Sequence, residues 1–262
     1  MFIFVLTKIY VRFCKKKCDL YHIWYLFLLS LTTEKPMIMQ KCSDCTTKCG
    51  AASSLSSEQM EVMENNSVEV HFKKGDNIFR QGALSLNIAF LKSGIAKIHM
   101  HGPAREKILR IVRAPSYLGL PTSLGDKINQ FSATALAKTS VCFIDIALFK
   151  NLIYNNGKFA YEIIVELCQN ELNDYQRYTS QSQKQMTGMI AETLLCMSEK
   201  IFKDSKFIFP LTQSELGDMV GTSRESVSRV LSEFSSDKII EISGKEINII
   251  NRDLLKQISE KG

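Results

Sequence analysis

The sequence of 262 residues lacks internal repeats and low-complexity tracts, and it lacks the motifs that mark common catalytic sites. It has no glycine loop of the phosphate-cradling kind, no nucleophile elbow and no HExxH helix, so no catalytic constellation emerges and an enzyme is not expected. Long apolar runs are missing too: Phe2 to Leu6 and Leu20 to Leu31 are each too short to span a bilayer, and no small-x-small cleavage site follows Leu31. Excess charge of one sign is scarce once the first 36 residues are set aside. Those carry Lys8, Arg12, Lys15, Lys16, Lys17 and Lys35 against Asp19 and Glu34, which accounts for four of the net +6. Net charge therefore says little about a polyanionic partner, and local patterning must decide.

What is present divides the chain. Residues 1–36 read as a non-native or disordered extension ahead of Met37 or Met39, with a membrane anchor as the alternative; no membrane partner is expected for 37–262. Eight cysteines occur, and Cys42, Cys45 and Cys49 cluster on a short polar stretch. Such clustering is unlike a distributed disulfide framework and fits a reducing cytoplasm. Thiolates at this spacing hold an iron–sulfur cluster or a structural zinc, or serve thiol redox chemistry, and a fourth metal ligand would have to come from elsewhere. Cys168 and Cys196 lie on apolar helical faces and read as core.

From Ser67 to about Asp145 apolar residues alternate, as in Val68, Val70 and Phe72 and in Ala96, Ile98 and Met100, with glycine turns between the runs. Period two with frequent turns predicts an antiparallel sandwich or barrel over 37–150. His99 and His101 share one strand face and read as solvated. Neither proline nor glycine occurs from Lys158 to Met186, which predicts a long helix within 151–187. Its stripe of Ala160, Ile163, Ile164 and Leu167 reads as a dimer seam, with Asp174 further along the same side as a like-charge brake on pairing. Gly188 interrupts the stretch, and a helix from Met189 to about Phe202 opens the last domain, 188–262.

The most informative run is Leu211 to Leu231. Thr212 and Glu215 have capping-box spacing, Gly221 permits a tight turn, and Ser223 suits the start of a second helix. Val227, Val230, Leu231 and Phe234 fall at i, i+3, i+4 and i+7, which fixes that helix's buried side. The other side carries Arg224, Glu225, Ser228 and Arg229, side chains that bond guanine, cytosine and either base. Two helices so arranged predict a helix-turn-helix whose second helix reads the major groove of double-stranded DNA. Lys238 to Ile250 reads as a hairpin around Ser243-Gly244-Lys245, a wing from which Lys245 can reach phosphate.

Thr222 to Leu231 resembles the recognition helix of the cAMP receptor protein and fumarate-nitrate reduction regulator (Crp/Fnr) superfamily. Lys74 to Gly82 and Lys92-Ser93-Gly94 resemble glycine turns of that family's β-roll. The resemblance implies an α+β protein: a cyclic-nucleotide-binding-like β-roll (jelly roll), a dimerisation helix and a winged helix-turn-helix. It further implies a homodimer on a palindromic promoter site that contacts RNA polymerase. The cAMP-binding members carry Gly-Glu-Leu-Gly and Arg-Ser where this chain has Ser116-Tyr117-Leu118-Gly119 and Phe131-Ser132, so both charged ligands of the cyclic nucleotide are missing and cAMP is not the expected effector. Leu136 to Ile144 resembles the stretch of the oxygen-sensing, Fnr-like branch that supplies a distant cysteine. That places Cys142 with Cys42, Cys45 and Cys49 as ligands of a 4Fe-4S cluster. Three residues separate Cys45 from Cys49, fewer than that branch has. A different small-molecule signal, thiol redox, and a ligand-binding module without a cluster are the alternatives.

Overall fold

The computed structural model describes residues 50–262. The extension 1–36 and the thiols of Cys42, Cys45 and Cys49 lie outside the described residues. No helix of the described residues is long and apolar enough to cross a membrane.

After a single 3-10 turn at Ala51–Ser54, helix α1 (Ser57–Asn65) starts with a capping box between Ser56 and Gln59. Eight antiparallel strands follow: β1 (Ser67–Phe72), β2 (Asn77–Phe79), β3 (Asn87–Ser93), β4 (Ile95–His101), β5 (Glu106–Arg113), β6 (Ser116–Leu118), β7 (Ser132–Ala135) and β8 (Thr139–Asp145), with a short helix α2 (Leu120–Gly125) inserted before β7. They form two four-stranded sheets, ordered β1-β8-β3-β6 and β2-β7-β4-β5. Ile78, Ala89, Leu91, Ala96, Ile98, Leu118, Ala133 and Val141 fill the space between the sheets. The alternation along Ala96 and Ile98 thus has the physical origin expected of it, one strand face turned into a roll.

Helix α3 (Ile146–Asn155) and helix α4 (Gly157–Gln183) are separated by Asn156, which leaves helical geometry and caps α4 by accepting from Phe159 N at 3.0 Å. An aromatic chain ties both helices to the roll. Phe90 meets Tyr117, Tyr117 meets Phe149 and Phe149 meets Phe159, with ring centroids 5.1, 5.6 and 5.3 Å apart.

The last part contains α5 (Met186–Cys196), a wide turn (Met197–Phe202), β9 (Lys206–Ile208), α6 (Gln213–Val220), α7 (Arg224–Ser236), the hairpin β10 (Ile240–Ser243) and β11 (Glu246–Ile249), and α8 (Arg252–Lys261). β9, β10 and β11 form one small antiparallel sheet. The break between α4 and α5 falls at Lys184 and Gln185, both extended, and not at Gly188. Gly188 is buried inside the first turns of α5 because the end of α8 crosses there: a Cβ on it would stand 2.5 Å from the Gly262 carbonyl oxygen. Its glycine serves close helix approach, a need that no local pattern reveals.

Candidate nucleic-acid interface and sensory core

Helix α6 begins as its spacing dictates. Thr212 Oγ1 accepts from Glu215 N at 3.2 Å, and Glu215 Oε2 accepts from Thr212 N at 2.8 Å, so two otherwise free amides at the helix start are satisfied reciprocally. Leu216, Gly217 and Val220 are buried, and Gly221 takes the left-handed φ of 88° that ends the helix and turns the chain. Ser223 then caps α7 by accepting from Ser226 N at 3.2 Å. Val227, Val230, Leu231 and Phe234 are all buried, which turns Arg224, Glu225 and Arg229 outward; all three are exposed and Ser228 is half-buried beside them. Glu225 has its carboxyl held below the usual range by its own backbone N–H, by the Ser223 hydroxyl and by the Arg224 charge. It therefore stays an anion, the form that accepts from an amine.

The other expected nucleic-acid contacts separate. Lys245 is exposed beside Gly244 at the tip of the β10–β11 hairpin, while its backbone carbonyl accepts from Phe209 N. Thr212 is exposed, yet both its amide and its hydroxyl are engaged with Glu215.

Strand β4 has a second neighbour that the sequence did not disclose. Lys97 donates to Glu215 Oε1 at 3.0 Å and to Glu106 Oε1 at 3.1 Å. Burial costs the ammonium, but the two carboxylates outweigh that cost and hold its pKa above the usual lysine value. Glu215 is lowered in turn: burial opposes this, while the Thr212 amide and Lys97 favour the carboxylate. Further along the hairpin Lys107 donates to Met219 O at 2.8 Å and Arg105 to Thr222 O at 3.1 Å, and on the preceding loop Lys74 donates to Pro210 O at 2.9 Å. Ile108 and Leu136 of the roll join the apolar core built by α5, α6 and α7.

His99 is consequently not solvated. It is 8% exposed, its Nε2 lies 2.8 Å from Thr134 Oγ1 and its Nδ1 3.1 Å from Glu106. Burial depresses its pKa despite the carboxylate. The hint in the sequence was charge on the face of a strand whose other face is core: Lys97 and His99 are cheap to bury only against partners.

On α4 the expected seam is split between two faces. Ile163 is buried against the roll and Leu167 packs on the same core, Ala160 is half-buried, and Ile164 is exposed. Asp174 turns toward β5, 3.6 Å from Arg177 and 3.9 Å from Arg110. The face left open is aromatic: Tyr161, Ile164, Leu172, Tyr175 and Tyr178 are 55 to 76% exposed, and Cys168 is exposed among them rather than core. Cys196 is half-buried, and burial pushes its thiol up.

Cys142 is half-buried on β8. It packs on the core cluster that contains Ala51 and Ala52, so the described chain begins, just past Cys49, in the same cluster as Cys142. No group of three or more metal-ligating side chains occurs among the described residues. Where cAMP-binding members carry the arginine, the Phe131 ring packs on Phe79 with centroids 6.1 Å apart, and Ser132 Oγ accepts from Gln81 N.

Two families match separate stretches of the chain. Residues 69–156 match the cyclic nucleotide-binding domain, and residues 190–258 match the Crp-like helix-turn-helix domain. The transcriptional activator protein FnrA of Stutzerimonas stutzeri is 26% identical over 68% of this chain and 75% of its own. The transcriptional activator protein Anr of Pseudomonas protegens is 26% identical over 80% and 88%. The solved structure of FixK2 from Bradyrhizobium japonicum superposes with a TM-score of 0.67 at 18% identity, over 73% of this chain and 96% of that one. The two sequence relatives are transcriptional activators by name, and the solved structure shares the fold. With a cyclic nucleotide-binding domain followed by a Crp-like helix-turn-helix, the chain belongs to the Crp/Fnr family of transcription regulators.

Proposed function

We propose that the protein is a cytoplasmic regulator that binds a palindromic promoter site as a homodimer, presents α7 to the major groove, and there meets RNA polymerase. The observation that carries this is the two-sidedness of α7: four buried apolar residues fix its orientation, and Arg224, Glu225 and Arg229 stand exposed at its start. An arginine fork matches guanine O6 and N7, and a carboxylate accepts from cytosine N4, so the face is suited to base edges. Dimerisation is supported by the exposed stripe from Tyr161 to Tyr178, whose three- and four-residue spacing is that of a helix-to-helix seam. Gel-shift titration of the full chain against promoter duplexes tests the DNA assignment. Complexes that survive excess scrambled competitor support it, and equal displacement by both DNAs overturns it.

The signal is read as oxygen or redox state, sensed through a 4Fe-4S cluster on Cys42, Cys45, Cys49 and Cys142. Support comes from the soft thiolate set and from the half-buried Cys142 sharing a core with Ala51 and Ala52, which follow Cys49 closely in the chain. A cluster so held would supply an oxygen-labile group at the junction of the N-terminal segment and the roll. A cyclic nucleotide is disfavoured, because the place of its arginine is taken by an apolar ring packed on Phe79. Iron and acid-labile sulfide in anaerobically purified protein, lost in Cys142→Ser and kept in Cys168→Ser, would support the cluster. Protein that lacks both elements overturns it.

A further inference from the structure

The hairpin between β4 and β5 belongs to the sensory roll, yet its tip lies against the turn of the helix-turn-helix. Residues Gly102 to Arg105 close the hairpin, with Gly102 N donating to Arg105 O. Arg105 Nη1 donates to the Thr222 carbonyl at 3.1 Å, and Lys107 Nζ to the Met219 carbonyl at 2.8 Å. A side chain built on Gly221 would come within 3.8 Å of both cations. The two differ in what they have left to give. Lys107 is half-buried and faces Asp218, so it satisfies the carbonyl end of α6, where the helix dipole favours a cation. Arg105 is exposed and uses one of the five guanidinium donors on Thr222.

Thr222 is one residue before the cap of α7 and two before Arg224. The major groove is about 12 Å wide, so a cation a few ångströms outside the start of a helix lying in it is level with the phosphates of the groove wall. We propose that Arg105, from the sensory domain, contacts the DNA backbone beside the recognition helix, and that Lys107 is the positioning residue that keeps the hairpin there. The proposal rests on α7 occupying the groove. It gives the roll a direct share of the binding energy: any signal that lifts the hairpin from α6 removes one phosphate contact per half-site.

The test is fluorescence anisotropy of the full chain on a labelled duplex carrying its site, repeated across potassium chloride concentrations. Arg105→Gln should weaken specific and random duplexes by the same factor and reduce the slope of log affinity against log salt by about 2 for two half-sites. Arg105→Lys should restore the slope, since a point charge suffices for phosphate. A slope unchanged in Arg105→Gln, whatever happens to affinity, overturns the proposal and leaves Arg105 a purely structural partner of Thr222. Arg229→Ala separates the two levels. If it relaxes preference at a guanine while the Arg105→Gln slope stays at the wild-type value, this proposal alone fails; if it alters no base preference, the reading of α7 fails and the proposal with it.

Discussion

Lys97 Nζ lies 3.0 Å from Glu215 Oε1, which joins the fourth strand of the β-roll to the capping box of the first helix of the helix-turn-helix. The lysine is 10% and the carboxylate 23% exposed, so the pair is only partly screened by water. One carboxylate thus starts α6 and anchors it to the β-roll.

Lys97→Met should leave Glu215 half-buried with the Thr212 amide as its remaining strong partner. A cost of about 1 to 3 kcal/mol in urea unfolding is expected, the range for orphaning one partner of such a bond. Glu215 has a lowered pKa, so its contribution is present above the ordinary carboxylate value and lost as pH falls through the lower folded one. Stability of Lys97→Met should therefore fall less than wild type on acidification below about pH 4.5. Parallel acid profiles for the two proteins would exclude the joint as a source of stability.

His99 gives a second pH signature in a different window. Its folded pKa is depressed, first by burial and then by Lys97, against the opposing pull of Glu106 and Glu215. The unfolded chain therefore takes up the proton first, and stability present above about pH 6.5 is lost as pH falls through the folded value. In His99→Gln the decline between about pH 7 and pH 5 should shrink; an unaltered decline would assign it to other groups.

Much of the DNA-binding half was legible in the sequence because its determinants are local. The Thr212–Glu215 box, the Gly221 turn, the Ser223 cap and the stripe Val227 to Phe234 lie within 23 consecutive residues and obey short-range rules. Strand β4 of the roll was legible through alternation at Ala96 and Ile98. What failed depends on contacts across long separations. Lys97 and Glu215 are 118 residues apart, so the charge beside His99 does not say what covers its strand face. On α4, Ile163 and Ile164 are equally apolar, and only the presence of the roll decides that the first points inward. Asp174 read as a brake because Arg110, its partner on β5, is 64 residues away in sequence.

The Ser223 cap offers a test confined to α7. Ser223→Ala removes the acceptor for Ser226 N and should cost about 1 kcal/mol of stability. It should also weaken DNA binding, because the first turn of α7 carries Arg224 and Glu225. A urea midpoint equal to wild type would show that the amide is satisfied some other way.

The open face of α4 predicts how the dimer responds to substitution. Ile164→Glu or Tyr175→Glu would place like charges together across a seam between two copies, and sedimentation equilibrium should show dissociation by at least tenfold, about 1.4 kcal/mol. Asp174→Ala, which loses contacts to Arg110 and Arg177 within its own chain, should leave dimer affinity unchanged. Tighter association of Asp174→Ala would instead restore the carboxylate to the seam.

Selection of binding sites from random DNA duplexes by the full chain tests most directly the claim that the exposed start of α7 reads bases. Arg224 and Arg229 should each choose guanine and Glu225 the cytosine of a paired strand, which favours TGTGA-like or TTGA-like half-sites about one helical turn apart. Repeating the selection with Arg229→Ala should relax one guanine by about 1 to 3 kcal/mol and leave the remaining positions intact. Enrichment of a motif with a symmetric G·C pair in each half is the result predicted; an enriched motif without that pair, or one indifferent to Arg229→Ala, would contradict the assignment of this face to DNA.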